Sequence, residues 1–300
     1  FITFEPHGNT HDFSRYPYMW IAAKFMIALL TAVFAFFWTS MALWFYREYK
    51  DRQEGKTRPH VRTEALPPGE GKYYQRFGPI WRIAHLVFAI SVMMLILTGT
   101  AVLFADNAWA KSIMSAFGGP KVTAIVHRTS AVIMLGIFFV HLVYLAFHLG
   151  RNWKTFNWFG PTSLVPRWQD FKDLVAMFRW FFGRAPRPLF DRWTYWEKFD
   201  YWAVFWGMAI IGGSGFTLWF KSAIAAVLPG WVFNVATIVH GQEAILAAVF
   251  LFTVHFFNNH FRPDKFPLDI VMFTGRVPVE ELKADRPREY EELVASGELE

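Results

Sequence analysis

The segment "HGQEAILAAVFLFTVHFFNNH", residues 240 to 260, is apolar enough to cross a membrane, yet it carries His240 at its start and His255 and His260 near its end. An ionisable side chain at membrane depth is costly and is retained for a function or for a specific partner. A second apolar run carries His127, His141 and His148, and a third opens with His85. On a helix, His127 and His141 differ by about 40° around the axis and ~21 Å along it, and His240 and His255 by about 60° and ~22 Å. Each helix therefore aims imidazoles to one side at two depths. Two stacked haems, each held edge-on between imidazoles of two helices, suit this pattern, because histidine is a common axial haem ligand.

The elements that must position these side chains are long apolar helices. The chain has 300 residues, 54% hydrophobic and 20% aromatic, far from the composition of a soluble domain. Five runs, near 19–46, 80–105, 123–149, 200–220 and 232–258, are each long enough to cross ~30 Å of hydrocarbon. The expected fold is an all-α membrane protein: a four-helix haem-binding transmembrane bundle plus one extra N-terminal transmembrane helix. Cysteine is absent, which excludes disulfides, thiolate iron–sulfur ligation and covalent CxxCH haem in this chain. The chain starts at Phe1 rather than Met, so an upstream piece is expected.

Basic residues favour cytoplasmic loops. Residues 47–82 hold nine Lys/Arg, 150–200 nine more and the stretch after His260 six, so 24 of the 30 fall on one side. This predicts the N-terminus outside and the C-terminus in the cytoplasm. The net charge of +6 then reflects orientation, and the scattered basic residues carry no nucleic-acid motif. The predicted organisation is a periplasmic segment and anchor helix over 1–50, standing apart from the rest, and a cytoplasmic linker over 51–79. A four-helix bundle follows over 80–260, with an amphipathic helix near 167–182 that lies on the membrane interface or packs on a partner subunit, and then a charged cytoplasmic tail over 261–300, either solvated or a docking segment. In that frame His127 and His240 form an outer layer, and His85, His141, His148, His255 and His260 an inner one. His7, His11 and His60 fall outside the spans and read as surface residues.

Small residues let a flat ring approach a helix backbone, and Gly99, Gly136, Gly207, Gly212, Gly213 and Gly215 lie on these helices. Ordinary helix packing through small residues accounts for most of them equally well. Haem propionates need cations near the membrane surface, and Arg82, Arg128, Arg151 and Arg262 lie within about a turn of the histidine layers. Snorkelling anchors are the alternative role for these arginines.

Four stretches carry a resemblance. "RIAHLVFAISVMMLILTG", "IVHRTSAVIMLG", "YWAVFWGMAIIGGSGFTLWF" and "VHGQEAILAAVFLFTVHFF" resemble the four helices of the dihaem cytochrome b subunits of bacterial respiratory formate dehydrogenases and nickel–iron hydrogenases. The likeness covers about residues 76–260. It implies two haem b groups, the outer held by His127 and His240 and the inner by His85 and His255. The spacing alone allows His141 in place of His85. The paired histidines also resemble cytochrome b of quinol–cytochrome c oxidoreductases, where both pairs come from two helices, so the inner pair stays open between His85 and His141.

The family resemblance further implies a bacterial inner membrane location, a menaquinone or ubiquinone substrate near the inner haem, and a periplasmic redox partner, either a multihaem cytochrome c or an iron–sulfur protein. His141, His148 and His260, with Asn258, Asn259, Lys198 and Asp200, are the candidates for quinone contact, because an interfacial histidine titrates near neutral pH. Two other classes compete. A membrane di-iron oxygenase or desaturase is suggested by the His-x4-His box "HFFNNH", but such a site needs several boxes. A metal-ion transporter using transient His ligands is expected to show intramembrane carboxylates, and the spans offer almost only Glu243.

Overall fold

The computed structural model describes residues 10–56, 72–262, 265 and 268–299. His7 and His60, and most of the predicted linker, lie outside them. Among the described residues five helices are long and apolar enough to cross a membrane. They are α1 (Pro17–Gln53), α2 (Pro79–Leu103), α4 (Pro120–Asn152), the run Tyr195–Trp219 and the run Trp231–Phe261. The fourth run is built from α6 (Tyr195–Gly207), a π-helical turn Met208–Gly212 and α7 (Gly213–Trp219). The fifth is α9 (Trp231–Phe250) continued by π-helical turns Leu251–His255 and Phe257–Phe261. Shorter helices are α3 (Ala108–Ala116), α5 (Trp168–Phe181) and α8 (Lys221–Ile224). After the last span come α10 (Val271–Thr274), α11 (Val279–Asp285) and α12 (Pro287–Ala295). The chain is an all-α, multi-pass membrane protein. Its helices expose large apolar side chains such as Ile125, Phe139, Val140 and Phe147 on α4, a surface that only lipid satisfies.

The chain divides into two units. The first comprises Phe1–Ala35, Ala84–Gly150 and Val204–Leu251. Here α7 packs closely on α9, and Gly215 of α7 faces the His240 ring of α9. Leu103 of α2 packs at Gly241 of α9, Leu135 of α4 at Gly212, and Tyr18 of α1 stacks on Trp231 with ring centres 4.2 Å apart.

The second unit comprises Phe36–Ile83, Arg151–Ala203 and Phe252–Glu300. Its core gathers Trp44, Met177, Trp180, Phe181, Phe190, Trp196 and Phe257. Trp44 belongs to α1, so the first helix is built into this core and does not stand apart, as the sequence led one to expect. The expectation of a solvated tail is also corrected. β1 (Tyr73–Gln75) pairs antiparallel with β2 (Arg276–Pro278), and Val271, Val277, Leu282 and Leu293 form a second small core with Tyr74, Phe77 and Tyr290. A high density of charge hid these few apolar positions in the sequence.

That charge is itself structural. Arg286 donates to Glu197 at 2.8 Å and Arg192 to Glu289 at 2.9 Å, with Arg76 3.7–3.8 Å from both carboxylates. Burial beside Arg286 pulls the Arg76 guanidinium down to about 10. The helix α5 buries Met177, Trp180 and Phe181 in the Trp44 core and leaves Trp168, Phe171, Lys172 and Arg179 exposed, while Asp173 is buried and burial pushes its carboxyl up. Asp170 caps the Arg167 amide and receives Lys198. The bare Trp168 and Phe171 beside exposed cations suit a membrane interface.

Removing one partner of a buried ion pair leaves the other uncompensated, at a cost of about 3–5 kcal/mol. Glu289→Ala is therefore expected to loosen the C-terminal segment, read as a lower melting temperature in detergent and faster tryptic cleavage after Arg276 or Lys283.

Candidate functional site

Two imidazoles meet in the first unit. His127 lies on α4 and His240 on α9, with ring centres 6.4 Å apart and ring planes at 71°. Both are half-buried. Each ring is held by a hydroxyl–glycine pair from another helix. Thr98 of α2 donates its hydroxyl hydrogen to the Met94 carbonyl at 2.6 Å, leaving its oxygen to accept from His127 Nδ1 at 2.9 Å. Ser214 of α7 donates to the Ile210 carbonyl at 2.7 Å and stands 3.2 Å from His240 Nδ1. His240 Nδ1 also meets the Ile211 carbonyl, at 3.0 Å. Ile211 lies in the π-helical turn, where the backbone ladder shifts by one residue and interior carbonyls become available to side chains.

The glycines beside these hydroxyls clear space for the rings. A Cβ at Gly99 would lie 3.2 Å from His127 Cε1, and one at Gly215 would lie 2.9 Å from His240 Cε1. These two glycines serve the histidines and not merely helix packing. A Cβ at Gly136, Gly207 or Gly213 would meet no atom within 4 Å.

A backbone carbonyl only accepts, so His240 carries its proton on Nδ1 and keeps the Nε2 lone pair. Thr98, whose hydrogen is engaged, imposes the same tautomer on His127. Metal-bound histidines show this arrangement, in which the second ring nitrogen donates to a fixed partner. With ring centres 6.4 Å apart the two imidazoles are near enough to share one metal, and the donor set fits a bis-histidine metal such as haem iron.

In the second unit His255 lies in a π-helical turn, with its Nδ1 3.1 Å from Asp200 Oδ2. Asn259 donates to the same carboxylate oxygen and lies 3.1 Å from His255 Nδ1. The His260 ring stands edge-on to His255 with centres 5.4 Å apart. Phe257, two residues from His255, is part of the Trp44 core, which fixes this stretch of helix.

The remaining sequence candidates lie on several elements. His85 is half-buried on α2. His141 is half-buried on α4 beside the Phe205 ring. His148 is exposed and stacks on Tyr144. Arg128 lies over the Trp219 ring at 5.6 Å, in the same unit as His127. Arg82 donates to the Phe273 carbonyl, which ties it to the C-terminal segment. Arg262 is buried and lies over the Trp44 and Trp196 rings. Lys198 pairs with Asp170. His11 is exposed, as expected of a surface residue.

Sequence reasoning missed Thr98, Ser214 and the Ile211 carbonyl as partners, and did not foresee the contact of Asp200 with His255. The signal for the first two was the hydroxyl–glycine dipeptide in "ILTGT" and "GGSG". No protein-family model matches the chain, and no curated protein matches it.

Enlarging Gly215 to Val drives a side chain into the His240 ring. A metal held by His240 is expected to be lost, read by absorption spectroscopy of the purified variant beside the parent protein. Thr98→Val keeps the shape but removes the acceptor for His127, and loss of such a partner typically weakens metal affinity about 10–100-fold.

Proposed function

We propose that the chain is a membrane cytochrome b subunit that passes electrons across the bilayer through two b haems, between a periplasmic redox partner and the quinone pool. The matched geometry of His127 and His240 carries this reading: a separation near enough to share one metal, Nδ1 engaged in both, and a glycine beside each ring. His127 and His240 hold one haem. His255 holds the other, and the sequence resemblance gives His85 as its second ligand. A haem bound there supplies reversible one-electron transfer, and the protein contributes ligation, spacing and electrostatics.

The chain's own residues divide the remaining work. Thr98, Ser214 and Ile211 orient the outer imidazoles. Arg128 supplies a cation for a propionate near His127. His141, His148 and His260 serve quinone binding and proton delivery on the cytoplasmic side, where the basic loops place them. The location is a bacterial inner membrane, with the N-terminus outside. The periplasmic partner is a multihaem cytochrome c or an iron–sulfur protein, since this chain has no cysteine with which to hold such a centre.

Replacing the ligands one at a time tests the assignment. His127→Ala and His240→Ala are each expected to leave the same single haem, His85→Ala and His255→Ala the other, and His141→Ala and His148→Ala both. Two haems in His85→Ala with one in His141→Ala would move the inner ligand to His141. A short-chain menaquinol or ubiquinol should reduce the haems of the wild-type protein, and failure of both would remove the quinone from the proposal.

A further inference from the structure

The three anchored histidines differ in the charge of the group that holds them. His127 meets the Thr98 hydroxyl, and His240 meets the Ile211 carbonyl and the Ser214 hydroxyl, all neutral. His255 meets a carboxylate, Asp200. Asp200 is mostly buried, its side chain 12% exposed. Its Oδ1 has no hydrogen-bond partner among the described residues, and no Lys or Arg pairs with it among them. Lys198, two residues earlier, points its ammonium to Asp170 at 2.9 Å and so leaves the Asp200 charge uncompensated. The Asn259 amide fixes the carboxylate against the ring. At the other pair the neighbouring fixed charge has the opposite sign, because Arg128 follows His127 directly in the chain.

Resting on the cytochrome reading above, we infer that Asp200 is a positioning residue that makes the two haems inequivalent. Its charge, delivered through His255, holds the haem on His255 at a lower reduction potential than the haem between His127 and His240. The reason is electrostatic. An electron arriving on the metal adds negative charge near a fixed negative charge in a low-dielectric setting, which disfavours the reduced state. A carboxylate bonded to Nδ1 also raises the basicity of the imidazole, which favours the oxidised metal. Neither effect operates where the Nδ1 partner is a hydroxyl or a carbonyl. At equilibrium the first electron therefore resides on the His127–His240 haem.

A redox titration of the intact holoprotein, followed by visible spectroscopy, tests the inference, with the His255 haem identified as the signal missing from His255→Ala. Asp200→Asn removes the charge and keeps the shape. Its His255 haem should become easier to reduce by at least tenfold in the oxidised-to-reduced ratio, about 59 mV for one electron, with the other haem unmoved. Asp200→Glu should return the potential towards the wild-type value. Asn259→Asp, which adds a second charge, should shift the same haem in the opposite direction and decides the matter if Asp200→Asn fails to assemble. Unmoved potentials, or equal shifts of both haems, would overturn the inference while leaving the cytochrome reading intact. A wild-type protein without haem would overturn both.

Discussion

An imidazole inside a lipid-spanning helix has two ring nitrogens and no water to satisfy them. An unsatisfied polar group in hydrocarbon costs several kcal/mol, so each intramembrane histidine must find partners within the protein. The chain solves this for Nδ1 with donors and acceptors from other helices: a hydroxyl for His127, a carbonyl and a hydroxyl for His240, and a carboxylate for His255. Fixing Nδ1 fixes the tautomer and leaves the lone pair on Nε2. The glycine next to each hydroxyl and the π-helical turns follow from the same need, since a ring cannot reach a neighbouring backbone past a Cβ.

The second unit meets a different constraint. Buried arginines and carboxylates interlock around Glu197 and Glu289, and the last helices fold back onto β1 and the 191–198 segment. Trp44 ties α1 into the aromatic core that also holds Phe257, so the helix carrying His255 is braced by the first span. The helix α5 gives Met177, Trp180 and Phe181 to this core and leaves Trp168 and Phe171 bare, so one short helix serves both the interior of the unit and an apolar surface.

The five spans were legible in the sequence because a run of twenty apolar residues has few other uses, and the structure places their ends within a few residues of the sequence reading. The His127–His240 pair was legible from the topology that the basic residues set, together with the spacing of histidines along each helix. The residues that hold the rings were not, since hydroxyls and glycines are common in membrane helices and only their register against a facing histidine gives them meaning. Asp200 was visible as a polar residue at the start of the fourth span, but its partner lies 55 residues away and no periodicity links them. The folded tail was hidden for a related reason: Leu282 and Leu293 are isolated apolar positions in a charged stretch, and their burial depends on pairing between Tyr73–Gln75 and Arg276–Pro278.

If the imidazole pairs are metal ligands, the arrangement describes a wire with two stations whose surroundings differ in charge, in a protein whose own residues orient ligands and do no covalent chemistry. The most direct test of that claim is the haem content of the purified wild-type protein, measured as a pyridine haemochrome together with a reduced-minus-oxidised spectrum. Two b haems per chain with low-spin spectra are the expected result. A chain that carries no haem and instead holds zinc or non-haem iron would contradict it.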